Sequence, residues 1–538
     1  MFACVLITLI ITPWMNVDSM IIPKMVFLVL TASFLTPSLF LIIKNNFQIM
    51  SMLLKTVLII VLFIVIQMVM VMIFTDSPLE QQFFGKTGRG LGFLTYLSLL
   101  IIFSTSIFVF QRQTIAKLCY ALFYSSFLTS VYSIIQFYGF DIFNWTTRTN
   151  GIIGTIGNPN FQSSFSAIAL ITCFYYYHEN SKKLKIFAIG NAIVSLYAIY
   201  LCQSWQGYAL VIIGLILLLL QYFWYWSKAL FKVSSLIVFL TSIPVFFGII
   251  KIGPLSDLLY KYSVKSRGEM WRSSFNASKD NPIFGIGIDS FGDHSLRYRN
   301  PVDVGGVNEF TDNSHNYYLE FSTTGGFPLL ILNLILIVMV FYSLIKLIRR
   351  TSSFDPLIST IFCVWACHTA QSVISPASIP LLIWNYVMSG AIIGLASGIN
   401  FEYLSKISKV KNSGSNFVRS RWLLVAFSIF LLYPYYEVDR LYLATSRSGD
   451  GLMAVRVAQM YPESVLRYQR IGRELLDSKL YDQALEVSRA AARFNPDSFS
   501  AWALILSNPK ALDSERKKAL QELKRIDPLN PEIKALRL

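Results

Sequence analysis

Two residues in one polar stretch of the chain have side chains that could carry out group transfer. Arg267 begins the run Arg267-Gly-Glu-Met-Trp271, and His315 begins the run His315-Asn-Tyr-Tyr-Leu. An unperturbed imidazole titrates near pH 6.5 and can accept a proton at neutral pH. A guanidinium stays charged and offers a planar fork to phosphate oxygens. The two side chains could therefore serve as a proton acceptor and as a binding group for phosphate oxygens.

Further polar residues of the same stretch are candidates for binding a diphosphate or a sugar. Lys265 and Arg272 form a cationic cluster with Arg267, although residues 253–325 carry seven basic residues against nine acidic ones. Arg297 and Arg299 are weaker candidates for the same task. The alternative for these cations is pairing with lipid phosphate at the membrane surface. Three carboxylates could orient His315, and spacing does not choose among them: Asp289, Asp312 and Glu320.

The elements that must position these residues are membrane-spanning helices. Of the 538 residues, 54% are hydrophobic and only 14% are charged, against roughly 25% charged in soluble domains. This excludes a single soluble domain and predicts an all-α, polytopic membrane protein with about 12 to 13 transmembrane helices. The first span, near the N-terminus, is expected to be retained rather than cleaved as a signal peptide. The predicted spans lie near residues 2–17, 21–43, 52–74, 89–110, 115–138, 161–177, 185–201, 207–226, 232–252, 326–347, 355–375, 379–399 and 422–435.

Lysine and arginine in alternate short loops predict the orientation, because basic residues are retained on the cytoplasmic side. This places the N-terminus in the cytoplasm and puts residues 253–325 and everything after about 436 outside. The same loops account for the net charge of +16, so a nucleic-acid partner is not expected. The six cysteines lie in apolar stretches and suggest neither disulfides nor a metal site. The cytoplasmic cations are Lys44, Lys55, Arg112, Lys117, Lys182, Lys183, Lys185, Lys228, Lys232, Lys346, Arg349, Arg350, Lys406, Lys409, Lys411, Arg419 and Arg421.

The polar tail has the pattern of a tetratricopeptide repeat, clearest from Val465 to Ser498. Prolines recur at Pro462, Pro496 and Pro528, and about two and a half units are present. The sequence thus predicts two domains, residues 1–435 in the membrane and residues 436–538 as extracytoplasmic helical repeats. The tail could bind a protein partner or acceptor on its concave surface, or simply cap the protein. The residues of the unit that follow the repeat pattern are Tyr468, Ile471, Gly472, Tyr481, Ala484 and Ala491.

Four motifs in order resemble the O-antigen ligase and polymerase superfamily of bacterial inner membranes. They are Gly157-Asn-Pro-Asn160, Arg-x-x-x-Trp from Arg267, Pro-x-x-Gly-x-Gly from Pro282, and His-Asn-x-Tyr-Leu from His315. The resemblance covers roughly residues 20–400. It implies that a glycan is moved from an undecaprenyl-diphosphate carrier to an acceptor hydroxyl at the outer face, without a metal or cofactor. It also implies catalytic roles for Arg267 and His315, and substrate binding by Asn158, Asn160, Asn316 and Tyr318. An equally weighted alternative for the turn at residues 157–160 is a helix start in which Asn160 caps the sixth span.

The chain departs from the family pattern in one place. Where many members have a second arginine before the long loop, this sequence has Ser204-Trp-Gln206-Gly. Gln206 can donate hydrogen bonds but carries no charge, so a clamp of two arginines on the diphosphate would need another cation. Arg148 and Arg89, on outward loops, are the alternatives.

The leading hypothesis from these observations is a membrane glycosyltransferase that acts on a lipid-linked glycan. The acceptor could be lipid A core, another glycan repeat, or Ser or Thr of a protein, so ligase, polymerase and protein oligosaccharyltransferase activities all stay open. The competing class is a glycan flippase or transporter, for which mid-membrane charges and related halves are typical. A third alternative is a non-catalytic scaffold that uses only the repeats.

Overall fold

The structure, a computed structural model, describes residues 1–143, 145, 152–179, 181–303, 311–398 and 414–536. It is 77% helical, and the described residues contain no strand. This confirms the prediction of an all-α polytopic membrane protein. Four cations used in the orientation argument or as alternatives, Arg148, Lys406, Lys409 and Lys411, lie outside the described residues.

Nine helices of the described chain are long and apolar enough to cross a membrane, which is fewer than the predicted twelve to thirteen. The helix Phe93–Val109 (α5) is apolar but only 17 residues long. Pro159–His178 (α7) has a buried face rich in serine and glutamine, and Gly414–Ser448 (α17) carries charges in its second half, which lowers their hydropathy. The nine are Ile22–Asn46 (α2), Met52–Phe74 (α3), Arg112–Phe137 (α6), Lys182–Leu201 (α8), Trp205–Trp226 (α9), Lys228–Ile249 (α10), Tyr317–Arg350 (α14), Pro356–Ile374 (α15) and Ile379–Ser397 (α16).

The predicted span at residues 2–17 is wrong. Its helix, Phe2–Leu9 (α1), has 8 residues and is about 12 Å long, well short of the roughly 30 Å of hydrocarbon. Residues 10–21 form turns instead, in which the Thr12 amide donates to the Ser19 carbonyl at 3.0 Å. Pro13 lacks the N–H that a continuing helix needs, which explains why the apolar run does not form one helix.

The long loop is built from short helices and docks onto a kink in α14. The loop helices are Ser256–Leu259 (α11), Tyr262–Asp280 (α12) and Phe291–His294 (α13). Gly326 interrupts α14 with φ +75°, and a Cβ at this position would overlap the carbonyl oxygen of Ile283. The Phe327 amide, freed by the kink, donates to Pro282 at 2.8 Å. Pro282 and Gly285 of the Pro-x-x-Gly-x-Gly motif thus belong to the turn that packs against the kink.

The tail begins within α17 and continues as paired helices. One hydrophobic core contains Leu432 and Tyr435 together with the membrane helices, and a second core begins at Val438 and contains the tail. Asp450, Ser464 and Ser498 each cap the helix that follows them, as short polar residues commonly do. The tail helices are Gly451–Ala458 (α18), Val465–Asp477 (α19), Tyr481–Phe494 (α20), Phe499–Ser507 (α21), Asp513–Ile526 (α22) and Pro531–Ala535 (α23).

Candidate active site

Arg267 lies on α12 and reaches the C-terminal end of α15. Its Nε donates to the carbonyl of Ile374 at 3.0 Å, and its Nη1 donates to Ser263 at 3.1 Å. The last carbonyls of a helix have no intrahelical partner, so a cation at this end is favourable. Within the described ranges no carboxylate pairs with Arg267, although the side chain is half-buried and burial lowers its pKa. A half-buried cation that no carboxylate of the described residues neutralises is suited to bind an anion.

His315 lies immediately before α14, in a backbone conformation that its neighbours impose. Its φ is +50°, which is uncommon for a residue with a side chain, and its amide donates to Asn313 Oδ1 at 2.9 Å. Desolvation by burial, followed by the nearby charge of Arg267, lowers the pKa of His315 to about 4. The two side chains thus lie within range of electrostatic interaction, although 48 positions separate them in the chain.

A buried ionic network holds the segment around His315. Arg89 bridges two carboxylates, with Nε 3.5 Å from Asp289 and Nη1 3.6 Å from Glu320. Glu320 in turn accepts from the amide and the hydroxyl of Ser314 at 2.7 and 2.8 Å. Burial raises the pKa of Asp289 to about 6 in spite of the charge of Arg89. Among the three carboxylates proposed as orienting groups, Glu320 thus fixes the residue next to His315.

The end of α15 also gathers neutral polar groups. Gln206 is buried, and its Oε1 accepts from the hydroxyl of Ser375 at 2.9 Å and from that of Ser164 at 3.3 Å. Ser375 directly follows the carbonyl that binds Arg267, so Gln206 lies beside the arginine site. Tyr318 Oη donates to Thr369 on the same helix at 3.1 Å.

The amide residues of the earlier motif have clear local partners. Asn158 caps α7 by accepting from the amide of Asn160 at 2.8 Å. Asn160 Oδ1 accepts from the hydroxyl of Ser204 at 2.7 Å, which joins this turn to the segment that carries Gln206. Asn316 caps α14, with its Oδ1 accepting from two backbone amides. Both Asn158 and Asn316 therefore use their side-chain oxygens to start helices.

Most of the remaining predicted cations are already paired. Arg272 bonds Asp303 with Nε at 3.0 Å, and Arg299 forms an ion pair with Asp527 of the tail. Lys265 lies 3.9 Å from Glu269, with its side chain 46% exposed. Arg297 is exposed, and its guanidinium lies 5.9 Å from the ring of Tyr298. Pairing with carboxylates favours a structural role for Arg272 and Arg299, and leaves Arg267 as the half-buried cation available to a ligand.

Sequence reasoning missed the importance of two places. The first is the connection before α5, where Lys86 pairs with Asp293 at 3.2 Å and Arg89 holds the network around His315. The preceding short helix Leu79–Phe84 (α4) begins this connection. The second is the C-terminal end of α15, whose carbonyls and hydroxyls organise Arg267, Gln206 and Tyr318. Neither place has a local pattern that marks it. In the described part of the chain no group of three or more His, Cys, Asp or Glu side chains could hold a metal ion.

The fold defines an integral membrane protein in which the loop residue Arg267 lies at the C-terminal end of one helix of the bundle. Residues 190–334 match the family model described as O-antigen ligase. The matched segment contains Gln206, Arg267 and His315, and the match confirms the predicted resemblance to the O-antigen ligase superfamily over this part of the chain. It supports a membrane glycosyltransferase of the O-antigen ligase type. The tetratricopeptide assignment of the tail is not confirmed and stays a prediction. A search of curated proteins found no match.

Proposed function

We propose that the chain transfers a glycan en bloc from undecaprenyl diphosphate to an acceptor hydroxyl at the outer face of the bacterial inner membrane. The observation that supports this most strongly is the half-buried guanidinium of Arg267, which has no carboxylate partner in the described ranges and whose charge acts on the imidazole of His315. A dianionic diphosphate would supply the missing negative charge. The reaction needs no metal, because Arg267 can carry the leaving-group charge.

The two residues have complementary tasks in this reaction. The acceptor oxygen attacks the anomeric carbon of the glycan, the bond from that carbon to the diphosphate oxygen breaks, and His315 takes the hydroxyl proton. Arg267 binds the departing diphosphate. The low pKa keeps His315 neutral in the free enzyme, and the negative charge of a bound donor would raise that pKa and make the imidazole a stronger base. Binding of the donor would therefore make His315 a stronger base for the acceptor hydroxyl.

Neutral and peripheral groups would bind the rest of the donor. Gln206 takes the place that an arginine holds in many relatives, so this site would clamp the diphosphate with one guanidinium and an amide. Asn160 and Tyr318 are near enough to this end of the bundle to contact sugar hydroxyls. Lys265 and Arg297, both exposed, would meet the glycan or the lipid headgroups at the entrance.

The proposal includes an orientation. The N-terminus would be cytoplasmic, and the site and the tail would lie on the periplasmic side, where the carrier presents its glycan. Lipid A core, another glycan repeat and Ser or Thr of a protein are the three acceptor classes, and the tail could bring a protein acceptor or partner to the site.

The test uses purified full-length protein with undecaprenyl-diphosphate glycan and each acceptor class in separate reactions. We expect transfer to one class, with a loss of at least about 100-fold in His315→Ala and in Arg267→Gln, in the range typical of removing a general base or a charge-stabilising group. Arg489→Gln, which breaks an exposed tail ion pair with Glu515, is the matched arginine control and should retain activity.

Glycan profiling of a deletion strain complemented with wild type or His315→Ala would identify the acceptor in the cell. Loss of glycan from lipopolysaccharide, from polymer or from protein would each name a different one. Full function of both site variants would reject the proposed chemistry and favour a transporter or a scaffold.

A further inference from the structure

The tail folds back onto the long loop and contacts it through buried polar groups. Asp527, at the end of α22, forms an ion pair with Arg299 of the loop and is only 2% exposed. Asn495, at the end of α20, donates to Asp293 Oδ2 at 3.1 Å, and both residues are buried. Two separate helix ends of the tail therefore hold the same part of the loop.

Asp293 connects this contact to the membrane bundle. Besides Asn495, it accepts from Gln81 Nε2 at 2.8 Å and from Lys86 Nζ at 3.2 Å. The carboxylate thus joins three segments that are distant in sequence: the tail, the long loop and the connection before α5. A buried carboxylate is stable only while such partners remain in place.

Asp289, four positions before Asp293 in the loop, connects these contacts to the active site. Asp289 pairs with Arg89, Arg89 reaches Glu320, and Glu320 holds the backbone of Ser314 next to His315. Every step is a contact between buried or half-buried groups. Lys86 joins the two carboxylates, because its Nζ donates to Asp293 and its amide donates to Asp289 Oδ2 at 2.8 Å. The network therefore runs from the tail to the backbone of Ser314, next to His315.

We propose that the tail positions the active site: its contacts at Asp527 and Asn495 keep the loop in the arrangement that directs His315 toward Arg267. The inference rests on the proposed function only in the test that measures transfer activity. Asp527 and Asn495 are positioning residues, because they act through Asp293 and Arg299 and do not reach the substrate. A tail that served only to bind partners would have no effect on the loop.

The first test measures loop order directly. We would compare backbone hydrogen exchange of residues 287–299 and 311–320 in full-length wild type, Asn495→Ala and Asp527→Asn. We expect exchange in both segments to become at least about tenfold faster in each variant, because opening becomes easier when a buried partner is removed. Asp482→Asn, which breaks the exposed Lys510 pair within the tail, is the control and should match wild type. Unchanged exchange in both variants would overturn the proposal.

The second test separates positioning from substrate binding. In Asn495→Ala we expect kcat to fall about tenfold, while KM for the undecaprenyl-diphosphate glycan stays within about twofold of wild type, because the cation that binds the diphosphate is untouched. The charge-exchanged double variant Arg299→Asp with Asp527→Arg should recover part of the loss that Asp527→Arg alone causes. If KM rises and kcat does not fall, the tail contributes to binding and the positioning role is rejected.

The two tests also separate this inference from the proposed function. Absence of transfer by the wild-type protein with every acceptor would count against the transferase reaction, while the hydrogen-exchange comparison would still decide whether the tail orders the loop. The thermal midpoint of each variant checks folding. If the charge-exchanged pair does not fold, Asn495→Ala, a smaller change, carries the test alone.

Discussion

The pH dependence of transfer should reveal the environment of His315. A general base must be neutral, and burial together with Arg267 lowers the pKa of His315 to about 4. At pH 5.5 an imidazole of ordinary pKa is neutral in about 9% of molecules, whereas one of pKa 4 is neutral in about 97%. We therefore expect kcat/KM to change little from pH 7.5 to 5.5, and to fall about tenfold per pH unit only below pH 4, if the fold survives there.

Comparing the pH dependence of wild type and Arg267→Gln tests whether the guanidinium acts on the imidazole. Because the charge of Arg267 lowers the pKa of His315, Arg267→Gln should raise it and move the acidic limb of kcat/KM to higher pH, even though the rate itself is lower. The parameter kcat/KM is the suitable one, since it reports the free enzyme. Arg489→Gln is the matched control and should leave the limb unchanged.

The assay is release of lipid diphosphate at subsaturating donor, with the thermal midpoint measured at each pH to exclude unfolding. A wild-type limb centred near pH 6.5 would refute the assigned environment of His315. An identical limb in wild type and Arg267→Gln would show that the two side chains do not interact, and would remove the main support for a shared site.

Three further substitutions, one of them with a control, test the fold around the site and the binding of the donor. Gly326→Ala should destabilise the protein by about 2–4 kcal/mol, because the new Cβ overlaps the docked loop turn at a positive φ, whereas Gly190→Ala, whose Cβ meets nothing within 4 Å, should be neutral or slightly stabilising by thermal unfolding. Gln206→Leu should raise the donor KM about tenfold in steady-state assays and change kcat little, and an unchanged KM would remove this residue from the binding site. Asp289→Asn leaves the buried Arg89 with one carboxylate fewer and should cost about 3 kcal/mol in denaturant unfolding; a loss below about 0.5 kcal/mol would contradict the ionic network.

The sequence predicted the transmembrane class because hydropathy and span length are local properties of the chain. It also named Arg267 and His315 as candidates from their residue types and motifs, and their catalytic roles stay a prediction. It was wrong at residues 2–17, where the composition is apolar but Pro13 and the polar residues after it form turns. Average hydropathy does not contain that information.

The tertiary structure decided which charges are free and which are neutralised. In the sequence Arg267, Arg272 and Arg299 are all loop cations that could bind an anion, and only the fold shows that Asp303 and Asp527 neutralise two of them. The partner of Arg299 stands 228 positions away. Ion pairing depends on which distant segments pack together, and burial strengthens the electrostatic interaction between the paired charges. Neither the pairing nor the burial can be obtained from spacing along the chain. The sequence thus determined which chemical groups the protein has, and packing determined which of them remain available to a substrate.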